Sequence, residues 1–134
     1  MKVCGIELKG NNAIIASLSG DKDDYEIIAV KVKKIGLNDT KVQEDIRSFS
    51  KAIVQFFDEM NFDKIGIKAR AEKGKFAGGP MSFKMEGLIQ NTDYNVEIIH
   101  GATIRAKLKG ISIDSSAIMK YQEEALNVAV YLLQ

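Results

Sequence analysis

The sequence predicts an α/β domain: a mixed five-stranded sheet in the order βββαβαβα, with helices on both faces. Three observations predict it. Residues 2–35 form extended runs broken by Gly-, Asn- and Asp-rich turns. From residue 42 the apolar period lengthens from two to between three and four. After that helix, short apolar runs alternate with helical segments, the pattern of parallel strands joined by helical crossovers. The 134 residues are the usual size of one domain, so 1–134 reads as a single one.

The elements follow in order. Residues 2–8 and 12–19 read as a hairpin about Gly10, Asn11 and Asn12, which tolerate positive φ. "GDKDD" is a polar turn. Tyr25–Ile35 reads as a third strand, with Val30 and Val32 on one side and Lys31, Lys33 and Lys34 forming its exposed face. Val42, Ile46, Phe49, Ile53, Phe56 or Phe57, and Met60 then mark one face of an amphipathic helix. Thr40 with Gln43 has capping-box spacing at its start. "DKIGIKA" (Asp63–Ala69) is a buried fourth strand, and "RAEKGKFAGG" (Arg70–Gly79) a basic, glycine-rich loop. Pro80 suits the first position of a helix to about Gln90. "NVEII" (Asn95–Ile99) is the fifth strand. Thr103 caps a short helix through Lys109, and Ser115–Leu133 is the last helix.

Composition narrows the function classes. Hydrophobic residues make up 46% and charged residues 28%, a soluble globular balance. Net charge is +1, from 19 basic and 18 acidic residues, which excludes strong global basicity but not a local basic patch. One cysteine allows no internal disulfide and fits a reducing, cytoplasmic setting. Cys4 is expected to pack as a small hydrophobe. No apolar run approaches the roughly 18 residues of a membrane span, and the N-terminus enters a strand at once, leaving no room for a signal peptide. His100 has no Cys or second His near it, which argues against zinc.

Glu7 is the odd residue of the first strand, a carboxylate within an apolar run. On the last helix Glu124 falls at the edge of the apolar arc, while Glu123 falls on the polar face with Lys120 and Asn127. Gln122 falls inside that arc, where a buried amide needs hydrogen-bond partners. In the loop, Arg70, Lys73 and Lys75 supply charge and Phe76 a stacking face. Gly78 and Gly79 precede a helix start that favours an anion. The loop reads either as a contact for a nucleic-acid backbone or as a solvated connection. Lys107 and Lys109 are placed to extend its patch.

The order of elements resembles that of RNase H-like proteins. "VCGIELKGNNAIIASL" resembles the opening of RuvC-type Holliday junction resolvases, whose "GIDPG" strand carries a catalytic aspartate; Glu7 takes that place. "KIGIKARAEKGKFAGGPMSFKMEGLIQ" is similar to their fourth strand, loop and helix. "EEALNVAVYLL" resembles their final helix, where "DALAIA" carries a metal-binding aspartate; Glu124 takes that place. The whole chain also resembles a small uncharacterised bacterial family of about this length, through "KVCGIELKGN" and "KGKFAGG…SFK".

The resemblance implies Glu7, Glu124 and Lys68 as the catalytic positions, with Glu7 and Glu124 as ligands for Mg²⁺ or Mn²⁺. It also implies DNA or RNA as partner. Two-metal phosphodiester hydrolysis needs three or four carboxylates around two ions about 3.5–4 Å apart. This chain departs from that pattern. Lys68 stands where the resolvases end their fourth strand in glutamate, and Tyr121 stands where they have a further acid. Lys68 either pairs with Glu7 in place of a metal or extends to solvent. The expected function is a nucleic-acid-related RNase H-like protein with a degenerate site. The alternatives are a divergent Mg²⁺-dependent nuclease acting on phosphodiesters and a non-enzymatic homo-oligomeric interaction protein, such as a homodimer.

Overall fold

The computed structural model of the chain describes residues 1–71, 73 and 79–134. Strands β1 (Lys2–Lys9) and β2 (Asn12–Gly20) form the hairpin, turning through Gly10 at φ 58°. Two three-residue strands follow, β3 (Tyr25–Ile27) and β4 (Lys34–Gly36). Then come α1 (Gln43–Met60), β5 (Lys64–Lys68), α2 (Pro80–Gln90), β6 (Val96–Ile99) and α3 (Gly101–Leu108). A 3₁₀ turn at Lys120–Gln122 leads into α4 (Glu123–Leu132).

The sheet order is β3-β2-β1-β5-β6, with β4 also on β2. β1 pairs antiparallel with β2 and parallel with β5, and β5 pairs parallel with β6, so the sheet is mixed. It has six strands rather than five, because the expected third strand is broken. Leu18 lies opposite Ile27, a register that would set Lys31 opposite Ile14; Lys34 is there instead, three positions later. Three is odd, so the side chains change faces across the break. Tyr25 and Ile27 pack on one side of the sheet, Val30, Val32 and Ile35 on the other.

Alternation along β1 divides the core. Cys4, Ile6 and Leu8 face α1 and α2, against Phe49, Ile53, Phe57, Met85 and Ile89. Burial pushes the Cys4 thiol far up, leaving it an inert apolar side chain. Val3, Gly5 and Glu7 face the other way, where Ile14, Leu18, Ile99 and Ile104 meet α4. Gly5 and Gly66 are neighbours across β1 and β5. A Cβ on Gly5 would fall on the Ala125 carbonyl oxygen and 2.5 Å from Ala129 N. On Gly66 it would meet the side-chain ends of Ile99, Val128 and Leu132 at 2.9–3.1 Å. The bare Gly5 thus lets the α4 backbone rest directly on the sheet, and the bare Gly66 makes room for the side chains of Ile99, Val128 and Leu132.

Three expected helix starts shift. Asp39 takes the turn before α1: its side chain accepts from Lys41 N at 2.9 Å and its carbonyl from Val42 N at 3.2 Å. Thr40 therefore does not cap, and Val42 precedes the helix without a side-chain cap. α3 begins right after β6, with His100 at its N-cap and Thr103 already inside. Residues 115–119 are not helical, because Asp114 accepts from Ser116 N at 2.9 Å and closes a local turn. Gln122 is buried, as its place in the apolar arc requires. Its Nε2 donates to Ile15 O at 2.8 Å and its Oε1 accepts from Met119 N at 2.9 Å, tying the start of α4 to β2.

Among the described residues, no helix is long and apolar enough to cross a membrane.

Candidate functional site

One row of paired residues crosses the sheet just beyond the start of α4. Lys34 pairs with Ile14, Ile14 with Glu7, and Lys68 with Ile99. The β1–β5 ladder is paired through Ile6 and Ile67, so its next step sets Glu7 beside Lys68, about 4.8 Å apart along the sheet. The row lies at the carboxyl ends of β1, β5 and β6, where open α/β sheets place their sites. α4 runs back over Gly5 and Gly66, so Glu124, in its first turn, comes down over the same spot. An anion there also meets the positive end of the α4 dipole.

Lys68 reaches Glu124, not Glu7. Its Nζ donates to Glu124 Oε2 at 2.9 Å. The two side chains are 27% and 48% exposed, so the pair contributes only about 0–1 kcal/mol to stability. Its consequence is chemical: one of the two carboxylates already holds a cation. Neither alternative read from the sequence, a Glu7–Lys68 pair or a lysine extended to solvent, is what forms, because α4 seats Glu124 within reach of the ammonium.

Glu7 is half-buried and has no hydrogen-bond partner among the described residues. Burial raises its carboxyl above the ordinary 4.5; Lys68 draws it down, Glu124 pushes it up, and Lys9 and Arg70 draw it down again. With the folded value above the unfolded one, the contribution of Glu7 to stability is complete below pH 4.5 and is lost as pH rises through the raised value. Glu7→Gln, neutral throughout, is therefore expected to gain on the wild type across that window and to hold the gain above it. Urea unfolding from roughly pH 4 to 8 measures this. A variant less stable than wild type at neutral pH would instead make Glu7 a favourable ion-pair partner.

The loop residues fall differently. Arg70 follows β5 and carries a buried Nε that has no hydrogen-bond partner among the described residues. It lines a cleft of about 680 Å³ with Lys73, Phe83 and His100. Gly79 is the exposed N-cap of α2. Lys75, Phe76 and Gly78 lie outside the described residues. Lys107 does not extend this patch, because it lines a cleft with Lys64 and Glu97 near the amino end of β5.

One contact and one residue were not legible in the sequence. Lys34 Nζ sits 5.4 Å from the centre of the Tyr121 ring, so it is not simply a solvated strand face. Arg105 shares a cleft with Lys68 and Glu124. Its signal was its place one turn after Gly101, where a bare backbone lets a long side chain approach the sheet end.

Do these residues fit a two-metal centre? Among the described residues, no group of three or more His, Cys, Asp and Glu side chains could hold a metal ion. Two carboxylates converge, one of them bonded to an ammonium. Mg²⁺ asks for several oxygen ligands in octahedral array, and Lys68 offers a positive charge where an oxygen ligand is required. The donor set does not fit a pair of divalent ions.

The family described as "Protein of unknown function (DUF3010)" matches residues 1–132. No curated protein matches the sequence. Among solved structures, Thermus thermophilus RuvC superposes with a TM-score of 0.74 at 8% identity, covering 97% of this chain and 92% of that one. The same protein in complex with Holliday junction substrate gives 0.70 at 8% identity, over 97% and 90%. The fowlpox virus Holliday junction resolvase gives 0.54 at 14%, over 99% and 98%. The fold is RNase H-like, of the RuvC kind.

Proposed function

The chain belongs to the DUF3010 family, and we propose that it is a nucleic-acid-binding RNase H-like domain whose acidic site is degenerate and non-catalytic. The observation that carries this reading is the 2.9 Å bond from Lys68 to Glu124. An ammonium placed among the acids neutralises one of them and repels an incoming cation. A phosphodiester backbone gains from the same change. Lys68, Arg70 and Lys73 stand at the carboxyl ends of the strands, and the Arg70 Nε has no hydrogen-bond partner among the described residues. Similarity to a resolvase solved with its junction DNA supports the choice of nucleic acid as partner.

Binding of labelled single-stranded DNA, single-stranded RNA and a four-way junction, followed by anisotropy across a salt series, tests this. Affinity is expected to fall linearly with salt on logarithmic axes. Arg70→Ala is expected to weaken binding to all sequences alike and to reduce the salt slope by about one. No binding at low salt to any of the three would end the proposal.

A second reading rests on the Glu7 carboxylate, which has no hydrogen-bond partner among the described residues and whose pKa Glu124 helps to raise. A single divalent cation between the two would relieve that repulsion if Lys68 swung away. Thermal stabilisation of the wild type by Mg²⁺ or Mn²⁺, absent from Glu7→Gln, would favour this nuclease reading.

A further inference from the structure

Beside the acidic row a cleft of about 400 Å³ opens between α3, the chain that follows it, and α4. That volume is within the range of small-ligand pockets, about 300–1,000 Å³. One wall is apolar: Ile104, Leu108, Ile111 and Ile113. Ile111 is 39% exposed, among the most exposed large apolar side chains described. The opposite rim is polar, with Lys68, Glu124, Arg105 and Asn127.

The charges of the rim do not cancel. Lys68 is matched by Glu124. Arg105 has no carboxylate partner among the described residues, so one positive charge is left over. Gly101 is the reason the two cations share this rim: a Cβ there would lie 3.1 Å from Arg105 Nη1 and 3.3 Å from Lys68 Cε. A guanidinium is a planar fork that fits phosphate or carboxylate by two parallel hydrogen bonds. The Asn127 side chain, with no hydrogen bond of its own among the described residues, adds donors and an acceptor next to it. An anion carrying a flat apolar body satisfies all three features at once.

We propose that this cleft receives one phosphate-bearing nucleotide unit, its phosphate on Arg105 and its base against Ile104, Leu108, Ile111 and Ile113. The choice of ligand rests on the nucleic-acid reading above; the geometry of the cleft does not. The unit is either a free mononucleotide or one residue of a bound strand.

The test compares wild type, Arg105→Ala, Ile111→Ser and Gly101→Ala, with AMP and with a labelled single-stranded oligonucleotide. Arg105 and Ile111 are exposed, and matching thermal unfolding curves would establish that their variants fold. Arg105→Ala is expected to weaken oligonucleotide binding about tenfold or more and to reduce the salt slope by about one. Ile111→Ser is expected to weaken it with the slope unchanged, because the lost contact is apolar. Gly101→Ala, which pushes only on flexible side-chain ends, is expected to weaken it by displacing the two cations. AMP that binds wild type but not Arg105→Ala identifies a free-nucleotide site. Weakening seen with the oligonucleotide alone identifies a strand subsite. Wild-type affinity in both Arg105→Ala and Ile111→Ser overturns the proposal and leaves the strand-binding reading intact. Failure of the wild type to bind either ligand overturns both.

Discussion

Gly5→Ala is expected to lower stability by more than about 3 kcal/mol, the high end of overpacking costs. The added methyl would fall on the Ala125 carbonyl oxygen and 2.5 Å from Ala129 N. Those are backbone atoms of a helix whose buried residues include Ala125, Leu126, Val128, Ala129 and Leu132, so they cannot rotate aside. Relief requires α4 to lift from the sheet along its length. Gly66→Ala is the control. Its methyl would press on the side-chain ends of Ile99, Val128 and Leu132, which can shift, and a cost of about 1–2 kcal/mol is expected. Urea unfolding of the two variants checks the ranking. A Gly5→Ala midpoint equal to wild type would mean that α4 is not held by direct backbone contact. The site depends on that contact, because the same seating brings Glu124 to Lys68.

If the site is degenerate as proposed, Lys68→Glu is expected to make it respond to divalent metal. Three carboxylates would then converge from β1, β5 and α4, and their mutual repulsion should lower stability in EDTA. A divalent ion bound by the folded state alone restores it. At one hundred times its dissociation constant such an ion adds about 2.7 kcal/mol. The measurement is the shift in Tm between EDTA and Mn²⁺. A large shift is expected in Lys68→Glu and little in wild type. If Lys68→Glu also fails to respond, the acids do not converge closely enough to share an ion, and the proposed role of the lysine in excluding one is wrong.

Much of the architecture was legible because punctuation residues marked it. Gly10 and the asparagines after it framed the first hairpin, and Pro80 set the start of α2 at the residue observed. The break between β3 and β4 was not legible. Val30 and Val32 alternate with lysines as a strand would, and only pairing with β2 reveals the three-residue offset. At the site, the resemblance picked out Glu7, Lys68 and Glu124, and the fold brings them to one end of the sheet. It did not pick out which acid the lysine would choose. That depends on how low α4 rides on Gly5 and Gly66, a matter of tertiary contact. Arg105 was not legible in the sequence, because its position follows from the bare backbone of Gly101 one turn earlier.

The interrupted strand beside β2 has a consequence for how the molecule lives with its neighbours. An unbroken run from Tyr25 to Gly36 would offer a long outer row of unpaired N–H and C=O groups, a template for another chain to zip onto. Here the margin is two three-residue pieces, offset by three, with Lys31 and Lys33 exposed in the gap. A straight incoming strand can pair with one piece only by falling out of step with the other. The kink therefore guards this margin against fibril-like stacking, and it does so by geometry that salt does not screen.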